Sequence, residues 1–411
     1  MVYQLFIILF LSFSVIQAQN TDVPHLKSFT MMSDNDQFSQ TIHPLNNTID
    51  FSFDDVKGTQ DTYYYKIVHC QIDWKPSDLP SSYYIQGFDN FQINQFENSF
   101  GTLQNYTHYT FTIPNENTAI TKSGNYLIQI LNDDDDIVCQ RKLILHEQKS
   151  TATIRISESR DLSDFNNKQA TSLIINAENL AINYPDEELK TFVFQNGDLQ
   201  IRTPFLKPTF IQGKTYTYRP ANETEFFAGN EFYYFDNNEI LRNSRYVAKS
   251  YRQDQEFHSV LFPKKSREGS IYTYNPDING NFLIRNHQSA NTGTEAEYSM
   301  VHFALKNETH LDNKNLYVYG AFNNFQFSEE NKLKLDETQT YLTAAIFLKQ
   351  GFYNYDFVSY ENGVIDKTVV SGSHFETENN YEVLVYFQPI NSIYYDVVGY
   401  GVANSKEQRE N

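Results

Sequence analysis

Short runs of Tyr, Phe, Val, Ile and Thr, each closed by Asn, Asp, Gly or Pro, recur along almost the whole chain. β-Branched and aromatic side chains suit a pleated, half-buried surface, and the closing residues turn a backbone sharply. Clear cases are 63–70 (YYYKIVHC), 106–113 (YTHYTFTI), 125–131 (NYLIQIL) and 137–145 (IVCQRKLIL). Further strands are predicted at 151–157, 171–177, 190–195, 214–219, 231–235, 245–251 and 256–262. A last set covers 296–305, 315–321, 340–348, 352–360 and 381–388. Few stretches sustain a 3.6-residue period, so helices are expected to be few and short. The pattern predicts an all-β chain of serial immunoglobulin-like or other β-sandwich domains.

Composition narrows the function classes. The 33 Phe and 30 Tyr cannot all stay solvated, so a disordered acidic chain is excluded and the rings belong on inward strand faces. A net charge of −19 excludes a nucleic-acid binder and docking on anionic lipid. Polar interruptions at 146–150 (HEQKS) and 286–294 (NHQSANTGT) divide the chain into three. These are an N-terminal β-sandwich domain at 22–148, a middle β domain at 149–288 and a C-terminal early-set immunoglobulin-like domain at 289–402. Residues 403–411 are expected to form a disordered tail.

At the start of the chain, 5–16 (LFIILFLSFSVI) is an apolar run followed by a small residue, Ala18. This reads as a secretory signal peptide over 1–18, cleaved after Ala18. The run is shorter than the ~20 residues that a membrane-spanning helix needs. Gln19 stands where a bacterial lipoprotein has Cys, so no lipid anchor is expected, and the mature chain is expected to be soluble and exported.

No catalytic motif emerges. None of the ten His is paired at zincin spacing, and no GxSxG elbow, Walker loop or dinucleotide fingerprint is present. No catalytic residue, metal ligand or cofactor is assigned. His69 and His108 sit in strands with apolar neighbours, as structural histidines do. Cys70 and Cys139 both fall in strands of the first domain; a disulfide and two buried free thiols are both open readings. The acid run 132–136 (NDDDD) is read as a hairpin turn rather than a metal loop. The sole Trp, Trp74, ends a strand before a Pro-bearing turn and is read as a core plug or strand-end cap, with an interface anchor as the other reading. The turn 319–326 (YGAFNNFQ) is similar to one in early-set immunoglobulin-like modules that bind starch or glycogen. Phe322 and Phe325 are therefore candidates for sugar stacking, with simple ring packing expected in its place.

Read together, several stretches resemble one family. They are 63–70 (YYYKIVHC) running into 73–78 (DWKPSD), 97–102 (ENSFGT), 106–115 (YTHYTFTIPN) and 122–127 (KSGNYL). They continue through 272–280 (YTYNPDING), 318–324 (VYGAFNN), 349–355 (KQGFYNY) and 375–380 (FETENN). In this order the chain resembles the plug proteins of the type IX secretion system of Bacteroidota. The resemblance implies a non-enzymatic periplasmic subunit that binds the periplasmic mouth of the outer-membrane translocon barrel and closes its pore when no cargo is present. It carries no contact residue by position, so the interface is unassigned. No nucleic acid, membrane insertion or small-molecule ligand is expected. The alternative is a carbohydrate-binding accessory protein of an exported polysaccharide-processing system, resting on Phe322 and Phe325.

Overall fold

The computed structural model describes residues 22–33 and 36–410; the expected signal peptide at 1–18 lies outside them. Strands dominate, and the four α-helices among the described residues are each six residues or shorter. They form three sandwiches. In the first, one sheet runs in the order Leu26–Ser33, Ile49–Asp55, Thr107–Ile113, Gln95–Asn98. The facing sheet runs Ile42–Pro44, Ile137–His146, Gly124–Leu131, Tyr64–Cys70, Asn90–Gln92. Strict alternation builds its core: Tyr109, Phe111 and Ile113 point inward while the residues between them point out. Tyr63 meets Tyr109 edge-on at 5.0 Å, and Phe51 stacks on Phe111 at 4.7 Å. The aromatic excess therefore fills the space between sheets.

The middle and third sandwiches do not follow chain order. The middle one pairs Thr151–Glu158, Lys168–Asn176, Thr215–Tyr218 and Phe210–Gln212 in one sheet. Its second sheet is Asp198–Arg202, Leu189–Gln195, Asn380–Phe387, Asp396–Asn404. One apolar cluster joins Ile154, Leu173 and Val193 to Val383, Val385 and Val398. The third sandwich lies between these halves of the middle one. Its strands begin at Tyr233–Asp236 and end at Val364–Asp366, with the eleven-residue Gly351–Glu361 central to one sheet. Neither the expected division at 288 nor the one at 402 follows the sheets. The polar stretch 286–294 lies inside the third domain, a loop running into the short helix Thr292–Glu295, and 380–404 completes the middle one. A partition read along the chain takes each domain as continuous, and here the third is inserted into the second.

Of the expected disordered tail, residues 403–410 are strand and helix. The strand Asp396–Asn404 runs into the helix Ser405–Glu410. Ser405 Oγ donates to Thr377 O at 3.0 Å and Arg409 donates to Phe375 O at 3.0 Å, so polar residues are held by side-chain bonds rather than apolar burial. Gly399 and Gly401 let this strand lie against the edge strand Thr151–Glu158. A Cβ at Gly401 would stand 2.2 Å from Ala152 O.

Candidate functional site

The polar groups withdrawn from water concentrate where the domains meet, and these junctions are the candidate site. Between the first and third domains, two cross-strand pairs face each other. Asp54 lies opposite His108 in the first domain, and Tyr298 lies opposite Lys349 in the third. Asp54 Oδ2 accepts from Lys349 Nζ at 2.6 Å and from Tyr298 Oη at 2.6 Å, while Oδ1 meets His108 Nδ1 at 2.6 Å. The Lys349 ammonium also donates to Gly293 O at 2.7 Å and sits 4.3 Å above the Tyr106 ring. Asp54 and Lys349 are both buried. Burial alone would raise the Asp54 carboxyl, but the Lys349 charge and the His108 bond overcome it and hold Asp54 below its ordinary value. Burial pulls Lys349 below its ordinary value, with Asp54 offsetting part of that. Around this centre, Tyr106 Oη donates to Ala296 O at 2.8 Å. The Glu297 carboxylate accepts from the amides of Leu103 and Gln104.

The other two junctions are tied in the same manner. Between the first and middle domains, Tyr386 Oη donates to Asn125 Oδ1 at 2.9 Å, and Glu147 N donates to Val397 O at 2.8 Å. Trp74 packs there against an apolar cluster that includes Ile144, Phe194 and Leu384, with Lys142 Nζ 4.7 Å above its ring. The sole Trp is thus an anchor between two domains of its own chain. Between the middle and third domains, Tyr319 Oη donates to Asp198 Oδ2 at 2.6 Å. Burial raises Asp198, with Lys367 and the Tyr319 bond working against it.

The turn after Tyr319 belongs to this last junction. Phe322 meets Tyr353 edge-on at 5.7 Å, Phe325 packs on Tyr319 at 5.2 Å, and Gln200 Nε2 donates to Phe325 O. Each ring packs on a neighbouring ring and stays half-buried, and the turn wedges two domains. A cavity of about 720 Å³ lies where all three domains meet, lined among others by Phe29, Arg141, Asp198, Asn279 and Phe322. Several of its charged groups already have partners: Arg141 with Asp22 at 2.7 Å, Lys27 with Glu330 at 2.7 Å, and Glu382 with Gly197 N at 2.8 Å.

The remaining sequence candidates fall elsewhere. Cys70 and Cys139 are both buried and free. The strand Gly124–Leu131 lies between theirs, with Cys70 opposite Asn125 and Cys139 opposite Ile130. That register puts the thiols on opposite faces, about 10 Å apart across the strands and about 17 Å along them. A disulfide needs Cα atoms within ~7 Å, so the open disulfide reading does not survive. Burial raises both thiols, Cys70 to about 12. The acid run 132–136 forms the hairpin turn: Asn132 Oδ1 accepts from the amides of Asp134 and Asp136, and Asp135 takes a positive φ of 62°. His69 is buried with Nδ1 2.8 Å from Ser77 Oγ. His108, read as structural, is also part of the first–third junction. Asp54, Lys349, Tyr298, Tyr319 and Asp198 carried no sequence signal as a group, because they lie in five different strands far apart in the chain.

With this geometry in hand, the family model for the type 9 secretion system plug protein 1st domain matches residues 26–147. The first domain belongs to the type 9 secretion system plug family. The plug-family sandwich is thus the part that makes the Asp54–His108 half of the first–third junction. The likeness to solved structures extends further. A hypothetical protein from Parabacteroides merdae ATCC 43184 is 27% identical, covers 93% of this chain and 98% of its own, and superposes with a TM-score of 0.89. Salmonella and Escherichia coli alpha-2-macroglobulins superpose with TM-scores of 0.20 and 0.14, at 8% and 9% identity. They cover 93% and 92% of this chain and 33% and 34% of their own. No curated protein matches the chain.

Proposed function

We propose that this protein is a non-enzymatic periplasmic subunit of the type IX secretion system. It binds the periplasmic mouth of the outer-membrane translocon barrel and occludes the pore when no cargo is present. The observation that carries this reading is the plug-family match of the first domain. The architecture supports it. Occluding a wide pore needs breadth and stiffness rather than a reactive pocket, and three sandwiches joined at all three pairwise junctions supply both. The buried acids and bases at those junctions are engaged with one another, as in structural joints. Exposed rings on the plug-family domain, Phe100 at 76% and Tyr83 and Phe88 at 60%, are available to a partner.

Release requires an interface that is sizeable yet reversible, more polar than an obligate one. Two measurements test the reading. Affinity purification of the tagged chain from detergent-solubilised outer membrane recovers the translocon barrel. Deleting the gene leaves the translocon assembled but lets large antibiotics or dyes cross the outer membrane. Unchanged permeability together with no co-purifying translocon overturns the proposal.

A further inference from the structure

We propose that the Asp54–Lys349–Tyr298 contact is a clamp that closes the three domains into one body. On that basis the translocon is opened by withdrawal of the whole body, not by a hinge between domains. The second statement rests on the plug reading; the first does not.

The first domain joins the middle one by a single connection after His146, and the third joins the middle one by two crossings, near 228–232 and 372–379. No peptide segment links the third domain directly to the first. A hinge that opened the assembly would therefore part the first domain from the third, bending at the two crossings or at the single connection, where Lys149 N and Ser150 N both donate to Val398 O.

Each of these places is tied. At the crossings, His374 N donates to Gly229 O at 2.9 Å, Thr377 Oγ1 donates to the same oxygen at 2.8 Å, and Gly229 N donates to Ser373 Oγ at 3.0 Å. The buried Glu231 carboxylate accepts from Tyr272 Oη at 2.5 Å and Glu378 N at 3.1 Å, fastening the long loop before Phe282–Ile284 over the crossings. A hinge works through a few residues free to change φ and ψ, and these crossings are laced to each other and to that loop. At the first–third junction, parting the domains would also uncover Tyr106 and Tyr298, whose rings meet edge-on at 5.4 Å. The Asp54–Lys349 pair contributes alignment more than net energy, since rehydration offsets the loss of a buried ion pair. Its bond and the one from Tyr298 cross the junction onto one carboxylate oxygen and fit one docking geometry.

Lys27 and Glu330 form an ion pair at 2.7 Å across the same junction. Replacing them as Lys27→Cys and Glu330→Cys gives a reporter pair, because native Cys70 and Cys139 are buried from thiol reagents. Spin labels on this pair in the otherwise intact free protein are expected to give one narrow distance by pulsed electron resonance. The same pair in an Asp54→Asn background is expected to broaden it. A broad or two-peaked distribution without Asp54→Asn overturns the clamp, whether or not the protein plugs a pore. Joining the two cysteines with a bismaleimide of matching span then tests withdrawal. The joined protein is expected to close translocons reconstituted in liposomes and to exchange with free protein as fast as the unjoined one. Slower exchange than the unjoined protein overturns whole-body withdrawal. If neither form closes the pore, the plug reading fails while the distance measurement still decides the clamp.

Discussion

Lys349 Nζ stands 2.6 Å from Asp54 Oδ2 although 295 positions separate them in the chain. Each comes from a different sandwich, and neither has water to fall back on. Asp54→Asn leaves the Lys349 ammonium buried without its counter-charge, which costs about 3–5 kcal/mol. The double variant Asp54→Leu/Lys349→Met removes both charges and is expected to lose less than Asp54→Asn alone. Urea unfolding of the three proteins checks this. Because Asp54 is held below its ordinary 3.8, its contribution is present above that pH and lost as pH falls through the depressed value. The gap between native protein and Asp54→Asn therefore narrows below about pH 4.

Acid acts on the first–middle junction by another route. Burial lowers His69 to about 4, and burial together with His43 lowers His146 to about 4. Their rings meet middle-domain Tyr394 at 5.8 Å and Tyr400 at 5.1 Å. The unfolded chain binds these protons near pH 6.5 and the folded chain only near pH 4. Stability is thus intact above pH 6.5 and falls across the interval down to 4, by up to about 3 kcal/mol for each histidine. His69→Gln/His146→Gln is expected to flatten the fall in urea midpoint over that interval; an unchanged slope contradicts the assignment.

Gly401→Ala drives a methyl group into the Ala152 carbonyl oxygen, backbone against backbone. A loss of about 2 kcal/mol or more is expected, read as a drop in thermal midpoint.

The helix at the C-terminus shields a sheet edge. Gln408 Nε2 donates to Ile154 O at 2.8 Å, and Gln408 Oε1 accepts from Ile156 N at 2.9 Å. One residue of a parallel neighbouring strand would make the same two bonds. Removing residues 405–411 bares that edge, and concentration-dependent self-association by light scattering is the expected result. A deletion variant that stays monomeric contradicts a shielding role.

The thiols give a direct chemical check. Intact mass is expected to be the same with and without reductant. Cys70 and Cys139 are expected to resist alkylation until the chain is unfolded, since burial raises both.

How much of this was legible beforehand follows from what local pattern can encode. Strands such as Gly124–Leu131 and Ile137–His146 were visible because their apolar runs end in strong turn signals. The strand Asp396–Asn404 was missed because Gly399 and Gly401 weaken its pattern, and their reason lies across space in Ser150 and Ala152. Asp54 alternates outward in its strand and reads as solvent-facing; another domain covers it, which no local period reports. The same holds for Tyr319 and Asp198. The Cys pair stayed ambiguous because pairing needs register, and register emerged only with the sheet. The plug resemblance was legible because it rests on an ordered set of local motifs.

The insertion of the third sandwich sets the order of assembly. Leu189–Gln195 finds its neighbour in Asn380–Phe387, nearly two hundred residues later in the chain. A chain delivered from its N-terminus can complete the first sandwich early, then holds half a sheet open while the inserted domain folds. Such late, long-range pairing is slow and leaves strand edges exposed meanwhile. A chain that emerges in this order is therefore most vulnerable to proteases and to misassembly in the middle of its length, until its final strand arrives.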